Sequence, residues 1–173
     1  MAATRLPGKP LLRINNLSII SHVFKRAEES NVGEVVVATE DQEIFDDVLK
    51  NGGQAILTNK NHKTGTDRIY EAYQKLGIKN IDYILNLQGD EPNINKDDII
   101  NLNNFMINQK AKIGTLAAKI GDERMLNNLN VVKVITDKKL IENNFPIALN
   151  FFRDSLSINS QNIYHHIGIY SYK

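Results

Sequence analysis

The stretch Glu34-Val35-Val36-Val37-Ala38-Thr39 runs through Glu40-Asp41 into Ile44, Phe45, Val48 and Leu49, halts at Gly52-Gly53, and resumes as Ala55-Ile56-Leu57-Thr58. Three successive valines suit a strand buried on both faces, because a half-buried strand alternates apolar and polar residues. The spacing after it is helical, which places Ile44, Phe45, Val48 and Leu49 on one face, and the paired glycines end the helix. Strand, helix and strand in such quick succession point to a sheet with helices packed on it.

The pattern extends both ways. Residues 17–30 set Ile20, Val23, Phe24 and Ala27 at helical spacing, with Lys25, Arg26, Glu28 and Glu29 facing out. Residues 66–76 form a third helix, with Ile69, Tyr70, Tyr73 and Leu76 inward and Gly77 past its end. A strand over 83–87 stops at Gln88-Gly89-Asp90, and a helix over 97–108 carries Ile99, Ile100, Phe105 and Met106. Strand patterns then follow over 114–120, 131–136, 147–152 and 163–172. An α/β sheet that finishes in mixed or antiparallel strands is expected.

The 173 residues suit one domain, with no repeat or linker to divide 1–173. Hydrophobic residues make up 42% and charged residues 24%, which excludes a disordered or collagen-like chain. Lys and Arg number 21 against 20 Asp and Glu, so no global field draws the chain to nucleic acid or an acidic membrane. There is no cysteine, which removes disulfides, thiolate metal sites and thiol nucleophiles. No apolar run reaches the roughly eighteen residues of a membrane helix, and no export signal is visible, so a cytoplasmic location is expected.

Four stretches can carry chemistry. In Thr4-Arg5-Leu6-Pro7-Gly8-Lys9-Pro10, two prolines and a glycine shape a turn that presents Arg5 and Lys9. That pair suits phosphates, although on these residues alone a basic surface turn before a helix is the commoner reading. Asp90 follows the strand over 83–87, at the carboxyl end where open α/β sheets bind ligands. It can serve Mg²⁺ together with substrate phosphates, or simply close a Gly-Asp turn. In His62-Lys63-Thr64-Gly65-Thr66-Asp67-Arg68, Thr66 or Asp67 can cap the next helix, whose first N–H groups could bind an anion. In Tyr164-His165-His166-Ile167-Gly168-Ile169-Tyr170, a strand would put His166, Gly168 and Tyr170 on one face. The adjacent histidines would point apart, which argues against a two-His metal site.

Taken in order, these stretches resemble the 3-deoxy-manno-octulosonate cytidylyltransferase family. The resemblance is carried by Ala3-Thr4-Arg5-Leu6-Pro7-Gly8-Lys9-Pro10-Leu11, Val37-Ala38-Thr39-Glu40-Asp41, the stretch 62–68, and Asn86-Leu87-Gln88-Gly89-Asp90-Glu91-Pro92. Asn130-Val131-Val132-Lys133-Val134, Ala148-Leu149-Asn150-Phe151-Phe152-Arg153 and residues 166–172 continue it. It implies a Rossmann-like, three-layer nucleotidyltransferase fold of α/β class with a mixed, mostly parallel sheet. It implies transfer of CMP from CTP to the sugar acid Kdo, giving CMP-Kdo and pyrophosphate for lipopolysaccharide assembly, by a homodimer. Arg5 and Lys9 would hold the CTP phosphates and Asp90 would bind Mg²⁺, or Mn²⁺ in its place. Thr39, Thr64, Gly65 and Thr66 would line the nucleotide site, and Gln88, Arg153, His166 and Tyr170 would face the sugar acid.

The pattern departs from the family in Phe152 for Ser, Leu129 for Pro and Glu40 for Asp. The family's opening strand with a further phosphate-binding Arg, and a later Asp that completes its Mg²⁺ site, have no counterpart in the 173 residues. The expectation is a piece of a longer protein, with little or no turnover from these residues alone. Two other outcomes are weighed: a cytidylyltransferase for another sugar acid, such as amino-Kdo or a nonulosonic acid, and an inactive nucleotide-binding domain.

Overall fold

The computed structural model describes residues 8–141, 144–154 and 161–173. Gly8 opens a short 3₁₀ turn over Lys9–Leu11, and a hairpin of β1 (Arg13–Ile14) and β2 (Leu17–Ser18) follows. Asn15 and Asn16 form its turn at φ 49° and 66°, the left-handed angles that such a turn requires and asparagine tolerates. Ser18 then caps α1 (Ile19–Ser30), its hydroxyl accepting from the Ser21 amide. Ile20, Val23, Phe24 and Ala27 are all buried, as their spacing predicts.

The stretch that opened the sequence reading becomes β3 (Val37–Thr39), α2 (Gln42–Lys50) and β4 (Ala55–Leu57), with β3 and β4 parallel. Val35 and Val36 lie outside the ladder, which pairs only three residues with β4. On α2, Val48 is buried but Leu49 faces solvent, because this helix shows the sheet a narrower stripe than the expected four-residue face. In the same way Tyr70 of α3 (Gly65–Leu76) is exposed, and Ala72 takes the buried position.

Next come β5 (Ile84–Asn86), α4 (Lys96–Gln109), β6 (Ile113–Ala118), α5 (Glu123–Asn127), β7 (Lys133–Thr136), β8 (Ala148–Phe152) and β9 (Ile163–Tyr172). The long β9 organises this half of the molecule. It pairs antiparallel with β6 along one edge and with β5 and β7 along the other, and β8 adds beyond β7. The α/β class therefore holds, but the expected mostly parallel sheet does not describe these ladders. Among the described residues only β3–β4 is parallel, because β5 takes its partner from the far end of the chain. Leu102 and Met106 of α4 pack on Ile169 of β9, with Leu87, Phe105 and Leu116 around them. Gly114 makes that contact possible, since a Cβ there would lie 2.6 Å from the Met106 sulfur.

Candidate active site

Two turns bring the first charged pair together. Gly8 sits at φ 73°, a left-handed angle that suits glycine, and so turns the chain into Lys9. After β5, the chain bends through Gln88-Gly89-Asp90 against α1, where a Cβ on Gly89 would come within 2.8 Å of the Ile20 side chain. The Lys9 ammonium donates to the Asp90 carboxylate at 2.8 Å, and both side chains remain partly exposed. An exposed pair of this kind adds little to stability, so both charges stay available to a ligand. Arg5, the other expected phosphate ligand, lies outside the described residues.

Asp90 also decides what metal chemistry fits. Among the described residues no three His, Asp or Glu side chains gather as a cation cage. One accessible carboxylate beside a lysine suits a Mg²⁺ ion that shares its ligands with substrate phosphates, which is how Mg²⁺ is commonly held.

Thr39 is buried at the carboxyl end of β3, where its hydroxyl accepts from the Asp41 amide at 3.1 Å. Beside it, Arg68 of α3 donates to the Glu40 carboxylate and, at 2.8 Å, to the Thr58 hydroxyl. The hydrogen bond from Arg68 holds the Glu40 carboxyl below its ordinary value. One guanidinium thus ties the ends of β3 and β4 to the first turn of α3. That helix is capped by Thr64 and not by the expected Thr66 or Asp67: the Thr64 hydroxyl accepts from the Asp67 amide and the Asp67 carboxylate accepts from the Thr64 amide. The Thr64 hydroxyl and the Asp67 amide are committed to this box, which leaves the Gly65 and Thr66 N–H groups as the first-turn donors for a ligand.

A second carboxylate braces the same loop. Glu71 accepts from the Asn59 amide at 2.9 Å, from His62, and from Lys75 at 2.7 Å. Its carboxyl is pulled down to about 2, by Lys75 first, then the Asn59 amide and His62. Neither Glu71 nor the Glu40–Arg68 pair was singled out from the sequence. Arg68 closes the quoted 62–68 stretch, but its partner lies 28 residues away.

On β9 the expected face is present. The His166 and Tyr170 rings are 5.3 Å apart, Tyr170 stacks on Tyr172 at 6.0 Å, and the Tyr172 hydroxyl lies 3.5 Å from that of Thr66. Gly168 faces the Gln88 side chain, which a Cβ there would meet at 3.1 Å. His166 is buried, with Nε2 2.9 Å from the Thr115 hydroxyl and the Phe151 ring edge-on at 4.9 Å. Burial lowers its pKa, and His165 lowers it further, so the ring is neutral at neutral pH. His166 and Tyr170 of β9 and Gln88 of the loop after β5 are therefore gathered at one face of β9. Arg153 follows β8 and instead donates to the carbonyls of Leu129 at 3.2 Å and Asn130 at 3.1 Å.

Comparison with known proteins agrees with these features. A family model described as cytidylyltransferase matches residues 1–173. A 3-deoxy-manno-octulosonate cytidylyltransferase of Rhodopseudomonas palustris (strain BisB5) is 42% identical over 174 residues, covering 100% of this chain and 70% of that protein. The enzyme of that name from Thermodesulfovibrio yellowstonii is 42% identical over 180 residues, covering 98% of this chain and 71% of the other. A solved structure of CMP:2-keto-3-deoxy-manno-octonic acid synthetase complexed with CTP superposes with a TM-score of 0.83 at 35% identity, covering 98% of this chain and 69% of that one.

Proposed function

The chain belongs to the cytidylyltransferase family, and from that premise we propose that it transfers CMP from CTP to 3-deoxy-manno-octulosonate (Kdo), releasing pyrophosphate. The observation that carries this reading is the match of the whole chain, at 42% identity, to enzymes named for that reaction. Those relatives share one substrate name, which favours Kdo over amino-Kdo or a nonulosonic acid.

The geometry supports a division of labour. Lys9, drawn off Asp90 by a stronger anion, holds the CTP phosphates together with Arg5. Thr39 and the Thr64-Gly65-Thr66 turn border the nucleoside, the turn through its helix-start amides. Gln88, His166 and Tyr170 present the sugar acid from one face of β9 and the loop beside it, and Arg153 supplies a cation for its carboxylate. The anomeric oxygen of Kdo attacks the α-phosphorus in line, the bond to the β-phosphate breaks, and pyrophosphate leaves. Mg²⁺ bound through Asp90 would neutralise charge on the departing pyrophosphate. The chain's own share of catalysis is positioning and fixed charge, with no covalent enzyme intermediate.

A homodimer is the reading that best suits β8. This strand pairs with β7 alone among the described ladders, and Ile147 just before it and Leu149 and Phe151 on it are 67%, 62% and 44% exposed. Bare apolar edges are a liability that a second subunit removes. CTP as substrate favours the cytoplasm, and no helix among the described residues is long and apolar enough to cross a membrane.

The test is pyrophosphate release from CTP and Mg²⁺ with Kdo, amino-Kdo or sialic acid in parallel, measured on the whole protein that carries these residues. Release with Kdo alone is expected. Release with another acid alone, or without any sugar, would contradict the reading.

A further inference from the structure

We infer that Lys133 is a positioning residue for Arg153, acting on the sugar-acid half of the site through the main chain. This rests on the reading above that Arg153 meets the sugar carboxylate. Lys133 lies on β7 and is 0% exposed. Its ammonium donates to the Asn128 carbonyl at 2.8 Å and to the Arg153 carbonyl. Arg153 answers by donating to the carbonyls of Leu129 and Asn130. The turn before β7 and the end of β8 are thus braced in both directions by two cations.

The placement explains why a cation is buried there at all. Taking an ammonium out of water is costly, and a methionine would fill similar space without that cost. What lysine adds is a reach to carbonyls that the sheet leaves over. The β7–β8 ladder ends with Lys133 opposite Phe152, so Arg153 is the first residue beyond it. Lys133 takes over where ladder hydrogen bonds stop. On its other side Lys133 pairs with His165, the neighbour of His166. One residue therefore joins the two: its side chain holds the strand end that carries Arg153, and its backbone pairs with the strand that carries His166.

A double-mutant cycle on Lys133→Met and Arg153→Ala separates positioning from mere stability. Lys133→Met should raise KM for Kdo about ten-fold, as misplacing a contact group does, while CTP affinity changes less than about two-fold. The double variant should be no worse toward Kdo than Arg153→Ala alone, because Lys133 acts only through Arg153. Additive losses would overturn the inference, as would a Lys133→Met protein that also loses CTP binding. If Arg153→Ala leaves KM for Kdo unchanged, the placement of Arg153 at the sugar acid fails first, and the inference falls with it.

Discussion

The Lys9 ammonium and the Asp90 carboxylate, 81 residues apart in sequence, meet at 2.8 Å at the end of β5. In the free protein each neutralises the other. On the reading proposed above, a triphosphate would compete for Lys9, and its withdrawal would leave Asp90 able to help hold a cation carried on the same phosphates. Lys9→Met and Asp90→Asn should each lower kcat/KM by about 10²–10³-fold, the scale for losing one charge-stabilising group. Thermal unfolding should hardly move, since exposed pairs contribute about 0–1 kcal/mol. Steady-state kinetics beside calorimetry checks both halves. A large fall in Tm with unchanged kinetics would make the pair purely structural.

His166 carries a pH signature. Burial, with His165 adding to it, holds its pKa below the ordinary 6.5, so between those two values the unfolded chain takes up a proton that the folded chain refuses. The stabilisation is complete above pH 6.5 and is lost as pH falls toward the folded value. KM for Kdo should stay flat above pH 6.5 and rise only below it. An NMR titration of the ring, with urea unfolding on either side of pH 6.5, follows the same group.

Gly168→Ala isolates the contact with Gln88. The new methyl would sit 3.1 Å from the Gln88 side chain, which is exposed and able to move aside. Stability should change by less than about 1 kcal/mol, and KM for Kdo should rise several-fold, on the order of the loss of one neutral hydrogen bond. Urea unfolding and a Kdo titration at saturating CTP measure the two quantities.

Leu149→Lys tests the β8 edge. Leu149 is 62% exposed, so a charge there should cost the isolated subunit little. Sedimentation should show dimers for the parent protein and monomers for the variant. A variant that remains dimeric places the interface elsewhere.

Much of the fold follows from short-range pattern. The buried stripe of α1 and the full span of β9 could be read directly, because 3.6- and 2-residue periods record which side meets the core. Leu49 and Tyr70 were misplaced because period gives a direction but not the width of the contact. The short α5 carries too few residues to show a period, and the β1–β2 hairpin turns on Asn15-Asn16 between strands of two residues each, too short to show alternation. The later strands are antiparallel, within the mixed or antiparallel finish their pattern suggests, but β5 does not fit a mostly parallel sheet: it pairs antiparallel with residues 170–172, and local pattern holds no trace of that partner. The face shared by His166, Gly168 and Tyr170 was legible from alternation alone. Arg68 on Glu40, Glu71 on the loop before α3, and Lys133 on the carbonyl of Arg153 were not, because each partnership exists only after folding.

The most direct test of the central claim is ³¹P NMR of CTP, Mg²⁺ and Kdo with the whole protein that carries these residues. The account predicts that the three CTP resonances give way to one phosphodiester resonance, that of CMP-Kdo, and to pyrophosphate in equal amount. Formation of free CMP with pyrophosphate, or an unchanged CTP spectrum, would contradict it.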